Sequence, residues 1–320
     1  MQPFLTPALS VVVPVYGNEA SVPALVEALQ GIAARVDGGF EAVFVVDGSP
    51  DASLQQLRER LPAAGFPARV VELTRNFGAF PAIRVGLGRA RGRVVAVMAA
   101  DLQEPPELVL EFLARLSGDA ADVAFGVRDG RDDPLPGRAA SALFWALYRR
   151  FVMPDIPRGG VDIFAVTADF RDRLLSLNES NTSLLAQLCW LGGRRALVPY
   201  RRRRREHGRS AWTLGKKLRY LSDSVFAFTD LPVRLLIGAG ILGVATAAVL
   251  GAVVVAARLS GLVPVPGYAA TVLTIVFFGA INILGLGVVG SYAWRAFENT
   301  KGRPLALVHS EQAFGPEQAR

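Results

Sequence analysis

Two stretches near the C-terminus constrain this chain more than anything else in it: Leu235 to Ala257 and Leu259 to Trp294 contain no Asp, Glu, Lys or Arg. At about 1.5 Å rise per residue, about 20 apolar residues cross a hydrocarbon core of about 30 Å, so each stretch can hold a membrane span. The second opens with turn chemistry, Ser260 to Gly267 with Pro264 and Pro266, which moves its helix to about residues 268–294. Two spans make a hairpin. The competing reading is a pair of buried soluble helices, but apolar runs of this length are uncommon in globular cores. Nearly all the charge lies in residues 1–230. The apolar share of 51% and mean hydropathy of +0.33 therefore average over a soluble part and a membrane part.

Basic residues give the hairpin a direction. Arg201 to Arg205, Arg209, Lys216, Lys217, Arg219 and Arg234 precede the first span, Arg295, Lys301 and Arg303 follow the second, and Arg258 alone sits between. The positive-inside rule predicts both termini in the cytoplasm. The N-terminus has no basic leader region, and Pro14 interrupts its short apolar run, which reads as a buried strand and not a signal peptide. The net charge of +7 is concentrated beside the spans and lacks an interleaved stacking set. The expected partner is thus a bilayer with anionic lipids, not a nucleic acid. One cysteine, Cys189, excludes an internal disulfide, and two distant histidines, His207 and His309, argue against a His-ligated metal. Any metal is expected on oxygen ligands.

From Leu9 to Val127 short β-branched runs alternate with helical periodicity. Residues 9–15, 41–47, 69–73, 93–98 and 122–127 are predicted strands; 21–35, 51–61, 81–90 and 106–116 are predicted helices. This βα repeat implies an α/β fold with a mostly parallel sheet covered on both faces, whose ligands bind beyond the carboxyl ends of the strands. The polar residues at those ends are Tyr16, Asn18 and Glu19, then Asp47 to Asp51, then Asp101 to Glu104. Taken singly each set reads as a turn or a helix cap; three sets at strand ends point to a site. No GxGxxG or P-loop follows the first strand, which excludes the dinucleotide fingerprint and the Walker cradle.

Six motifs occur in order: Val11 to Glu19 (VVVPVYGNE), Val46 to Asp51 (VDGSPD), Leu73 to Gly78 (LTRNFG), Met98 to Glu107 (MAADLQEPPE), Arg205 to Ser210 (REHGRS) and Lys301 to Pro304 (KGRP). With the terminal hairpin, this set resembles the polyprenyl-phosphate glycosyltransferases related to dolichol-phosphate mannose synthase, among the inverting family-2 glycosyltransferases. The resemblance implies a GT-A fold in which Pro14, Tyr16, Glu19 and Asp47 line the nucleotide-sugar pocket. It also implies that Asp101 and Gln103 approach a divalent Mg or Mn ion on the donor diphosphate. Two carboxylates usual in the family are replaced here, by Val46 and Ala99.

On the acceptor side, nine basic residues and one acidic lie between Arg201 and Arg219, just before an apolar stripe of Leu214, Leu218, Leu221, Val225 and Phe228. That spacing predicts an amphipathic helix lying in the headgroup region. Leu143 to Phe151 has a similar stripe, equally readable as a core-facing helix. The resemblance implies that Arg128, Arg138, Ser141, Arg202, Arg205 and Ser210 face a lipid phosphate, and that Asp162 is a base or an orienting carboxylate. Ala211 stands where the family usually has Lys. The expected division is a GT-A domain over 1–212, an interface helix over 213–231, two spans within 232–294 and a cytoplasmic tail over 295–320.

The reaction implied is inverting transfer of a sugar from a nucleotide donor to polyprenyl (undecaprenyl) phosphate, with Asp101 and Asp162 as catalytic candidates. A homo-oligomer is left open. Val46 and Ala99 motivate a rival, a membrane-anchored pseudoenzyme that binds nucleotide or lipid phosphate without turnover. A processive polysaccharide synthase is disfavoured: there is no QxxRW motif, and two spans are too few for a sugar channel.

Overall fold

The computed structural model describes residues 6–128, 146, 148–150, 153–157, 161, 163–180, 182–202, 222–260 and 267–315. Eight strands, β1 (Leu9–Val15), β2 (Phe40–Val46), β3 (Ala68–Leu73), β4 (Val94–Val97), β5 (Val123–Arg128), β6 (Phe164–Thr167), β7 (Arg195–Tyr200) and β8 (Val308–Phe314), form one sheet in the order 7-5-6-4-1-2-3-8. β1 runs parallel to β2 and β4, β2 to β3, and β5 to β7. β6 is antiparallel to β4 and β5, and β8 is antiparallel to β3. The five strands expected from the sequence are all present.

Helices α1 (Val22–Ala33), α2 (Ser53–Arg60), α3 (Ala79–Arg89), α4 (Glu107–Leu116), α5 (Ala168–Ser176) and α6 (Leu184–Trp190) cover both faces of the sheet. The period-2 geometry of a strand divides the core in two. Leu9, Val11, Val13 and Val15 meet Leu25 and Leu29 of α1, Leu57 of α2 and Phe112 of α4. On the other face, Val12, Val43 and Val45 meet Ile83 and Leu87 of α3, Phe170 of α5 and Leu188 of α6. Each such side chain stabilises the fold by about 1.5–3 kcal/mol when fully buried. At Gly86 a Cβ would come within 2.3 Å of Val12 Cγ1, so a glycine is what lets α3 lie this close to β1.

Among the described residues, Glu41, Asp47, Arg84 and Glu104 are buried charged side chains. Arg84 donates to the carbonyls of Leu174, Leu175 and Leu177 and to Gln187 Oε1, at 2.6–3.3 Å. It closes the C-terminus of α5, whose last carbonyls have no intrahelical partner. Burial pulls its pKa down, partly countered by Glu179.

Helix α7 (Leu231–Leu259) and helix α8 (Tyr268–Thr300) run antiparallel: Gly243 lies beside Phe278, and Gly285 beside Leu236. Both are long and apolar enough to cross a membrane. A core helix of a soluble protein buries its apolar side chains; here Leu235, Ile241, Leu242, Val244, Ile283 and Leu286 stand exposed. Protein leaves these surfaces uncovered, which suits lipid. α7 starts before Leu235 because Thr229 Oγ1 accepts from Leu231 N at 2.8 Å and Pro232 suits a first helical turn.

Within the segment expected as a tail, residues 295–315 are described and include regular structure. α8 continues past Trp294 to Thr300, and β8 then pairs with β3, Val308 opposite Leu73 and Phe314 opposite Ala68. Glu311 bridges Arg69 and Arg89, and Ser310 Oγ donates to Glu72 at 2.7 Å. Of the expected interface helix over 213–231, residues 222–228 are described and helical, with Arg295 of α8 paired to Asp223 at 2.8 Å. The remainder of that helix before residue 222 lies outside the described residues. Of the stripe over residues 143–151, only 146 and 148–150 are described, and they are helical.

Candidate active site

Because β1 to β4 are parallel, the loops after β1, β2, β3 and β4 gather at one end of the sheet, and the strand order reverses beside β1. That is where an open α/β sheet forms a crevice. The β1–β4 ladder stops at Val12 opposite Val97, with Met98 N donating to Val12 O at 3.0 Å. Pro14 falls two residues further on, so its missing N–H points toward the gap where β4 has ended and no ladder bond is lost. Tyr16 follows, 47% exposed at the mouth.

The loops after β1 and β2 are joined by one polar network. Asp51 Oδ1 accepts from the hydroxyls of Ser49 and Ser53, both at 2.6 Å, and Oδ2 accepts from Glu19 N at 3.0 Å. Glu19 Oε2 in turn accepts from Ala52 N at 2.9 Å, and Gly17 N donates to Ser49 Oγ at 2.8 Å. Burial opposes the charge on Asp51, but hydrogen bonds from Ser49, Ser53 and Glu19 outweigh it and hold the carboxyl below its usual range. Glu19, expected in the donor pocket, therefore has its carboxylate engaged in tying two loops together.

Asp47 is also engaged. Buried at the end of β2, it accepts from Phe77 N at 2.7 Å and Gly78 N at 2.8 Å, fixing the loop that starts α3. Burial raises its pKa, against those two hydrogen bonds and the nearby Arg75. Gly48 adopts φ +57°, and a Cβ there would meet the Arg75 carbonyl carbon at 2.5 Å. Val46 is buried in the apolar layer with α1 and α2, so a carboxylate usual in the family is replaced by hydrocarbon.

After β4, Gln103 N lies 3.3 Å from Asp101 Oδ1, and Leu102 between them has φ +54°, a left-handed conformation costly for a branched side chain. Strain held at a loop between two polar groups is a mark of a functional turn. Arg202, just beyond β7, donates through Nη2 to Gln103 Oε1 at 2.6 Å and places Nε 3.7 Å from the buried Glu104. Arg128 ends β5 directly opposite Tyr200 of β7. Residues expected on the donor side (Asp101, Gln103) and on the acceptor side (Arg128, Arg202) thus come to one end of the sheet. Arg138, Ser141, Asp162, Arg205 and Ser210 lie outside the described residues.

A carboxylate and an amide oxygen on one turn fit a hard divalent cation such as Mg or Mn. Among the described residues no three His, Cys, Asp or Glu side chains form a metal cluster. A cation held by Asp101 and Gln103 at this turn has coordination positions left for water or a bound diphosphate.

Three participants have no role that the sequence alone discloses. Ser49 and Ser53 read as turn and helix-start residues, and Glu104 as one more acid in a run; only the Pro105–Pro106 pair after Glu104 hints at a fixed loop.

The glycosyl transferase family 2 model matches residues 10–169. The uncharacterized glycosyltransferase YkcC of Bacillus subtilis is 30% identical over 97% of this chain and 95% of its own length. The bactoprenol glucosyl transferase of Shigella phage SfV is 27% identical over 95% of this chain and 99% of its own. Among solved structures, the mannosyltransferase PcManGT from Pyrobaculum calidifontis, in complex with GDP-Man and Mn2+, aligns with a TM-score of 0.46 at 18% identity, over 89% of this chain and 88% of that one.

Proposed function

The chain belongs to glycosyl transferase family 2, and on that premise we propose that it moves a sugar from a nucleotide-sugar donor to a polyprenyl phosphate at the cytoplasmic face of a membrane. The observation that carries this reading is where the hairpin attaches. β7, whose carboxyl end leads toward α7, is parallel to β5, and β8 returns from α8 to the carboxyl end of β3. The end of the sheet that holds Asp101, Gln103 and Arg202 is the end tied to the apolar helices, so an acceptor phosphate carried on a lipid meets the donor without leaving the bilayer. A bactoprenol-linked activity in a relative aligned over nearly its whole length supports the same acceptor class.

In this reading the donor lies over the crevice beside β1. Tyr16 offers an exposed ring for the base, while the Asp51 network and Asp47 keep the three loops around it in place. Asp101 and Gln103 hold a divalent ion, which when bound neutralises charge on the departing diphosphate. Arg128 and Arg202, with Arg138, Ser141, Arg205 and Ser210 from the sequence, orient the acceptor phosphate. One phosphate oxygen attacks the anomeric carbon as the bond to the nucleoside diphosphate breaks, inverting that carbon. A phosphate monoester has its second pKa near about 6 and is mostly dianionic at neutral pH, so no strong base is required. Asp162 then orients the sugar or the phosphate.

Both termini lie in the cytoplasm, with Arg258 on the far side of the membrane. The direct test is turnover: full-length protein in detergent, undecaprenyl phosphate and a panel of labelled nucleotide sugars. A labelled lipid product with one donor is expected. Absence of lipid product with every donor, together with intact nucleotide binding, would favour the pseudoenzyme instead.

A further inference from the structure

The Arg202 guanidinium connects two parts of the site. Its Nη2 donates to Gln103 Oε1 at 2.6 Å, and its Nε faces Glu104 Oε1 at 3.7 Å. The Glu104 side chain is 3% exposed and that of Arg202 35%, so the carboxylate is the fixed member of the pair and the guanidinium the one with room to move. Pro105 and Pro106 restrict the backbone immediately after Glu104. Gln103 Oε1 is also the oxygen that, beside Asp101, suits a divalent cation. A guanidinium at hydrogen-bond distance from an amide oxygen opposes a dication on that oxygen, because two cations repel strongly in a site partly shielded from water.

We propose that Glu104 is a positioning residue that keeps Arg202 latched on the metal loop, and that a divalent cation taking Gln103 Oε1 displaces the guanidinium toward the acceptor phosphate. The last step rests on the lipid-phosphate reading above. Arg202 then opposes metal binding until an anion draws it away, and by linkage a phosphate that engages Arg202 tightens the metal by the same factor that the metal tightens the phosphate. Glu104 keeps the displaced side chain close, so the coupling does not require reordering the loop.

The test is a Mn2+ titration of the full-length protein in detergent, following free Mn2+ by electron paramagnetic resonance without nucleotide. Asp101→Ala abolishes binding and so locates the ion. Arg202→Ala, which removes a cation and a competing donor, binds Mn2+ roughly three- to tenfold more tightly than the unmodified chain. Farnesyl phosphate tightens Mn2+ binding in the unmodified chain and has no effect in Arg202→Ala. In turnover, Glu104→Gln raises the lipid KM more than it lowers kcat, a split that general damage to the fold does not produce. Equal or weaker Mn2+ binding by Arg202→Ala overturns the latch, and Arg202→Gln makes the same comparison if the alanine variant folds poorly. Failure of the acceptor reading looks different: Arg202→Ala still tightens Mn2+, but farnesyl phosphate does nothing and no lipid-linked sugar forms.

Discussion

Val308 stands opposite Leu73 in the antiparallel pair of β8 with β3, so the strand that follows the second apolar helix completes the sheet that precedes the first. If α7 and α8 both cross the bilayer, they must do so as a pair, because a single crossing would leave β8 on the wrong side of the membrane from β3. Cysteine labelling tests this. Burial pushes the Cys189 thiol up to about 11, so it stays silent near neutral pH. A cysteine at Ser260, between the helices, is expected to react with an impermeant maleimide on intact cells; one at Gln312, exposed on β8, is expected to react only after lysis. Reaction of both from the same side would sink the hairpin.

Glu311 fastens β8 to the sheet through Arg69 and Arg89. Burial opposes its charge, but the two guanidiniums outweigh that and hold its folded-state pKa below the usual 4.5. A depressed carboxylate contributes its full stability above the unfolded value and loses it as pH falls through the folded one. Glu311→Gln is therefore expected to cost about 1 kcal/mol at neutral pH, a figure suited to partly exposed ion pairs, and the difference from the unmodified protein should shrink below pH 4.5. Thermal unfolding at the two pH values measures it. A difference independent of pH would show that packing, not charge, holds β8.

The contrast between β1 and β8 shows what was legible in the sequence. Leu9 to Val15 is apolar apart from Ser10 and buried on both faces, a pattern that local residues alone produce. Val308 to Phe314 contains His309, Ser310, Glu311 and Gln312, is mostly exposed, and gets its ion pairs from residues more than 200 positions away. β6, no shorter than β4, lies outside the βα repeat and joins the sheet only through antiparallel pairing with β4 and β5. The site divides along the same line. Asp47 and Asp101 lie at strand ends where the carboxyl-end rule directs attention, but spacing does not reveal that Asp47 and Glu19 bind backbone N–H groups. Nor does it reveal that Arg202 reaches Gln103, 99 positions away.

Gly48 is expected to be among the least replaceable positions around the site. Its φ of +57° disfavours any L side chain, and the Cβ of an alanine would lie 2.5–2.8 Å from backbone atoms of Arg75 and Asn76. The left-handed conformation alone costs about 1–2 kcal/mol, and a clash with backbone cannot be relieved by a rotamer change. Gly48→Ala should therefore lower the melting temperature and raise the donor KM together. An alanine variant with unchanged melting temperature would mean that the loop over 74–78 yields more easily than its hydrogen bonds to Asp47 suggest.

Those hydrogen bonds make Asp47→Asn the substitution that separates two roles for this residue. The carboxylate uses one oxygen for Phe77 N and the other for Gly78 N. Asparagine offers a single acceptor, and its NH2 would face the second N–H. Leaving a buried donor unsatisfied costs about 1–3 kcal/mol, but the substitution also removes a charge whose burial already raises the Asp47 pKa, so the lower half of that range is expected. If Asp47 acts by holding the start of α3, stability and donor affinity fall together while the acceptor KM stays close to its original value. If it bonds the nucleotide directly, as family resemblance implies, the donor KM rises with little change in melting temperature. Thermal unfolding and donor-dependent kinetics on the same variant decide between them, because loop anchoring moves both quantities and nucleotide contact moves only one.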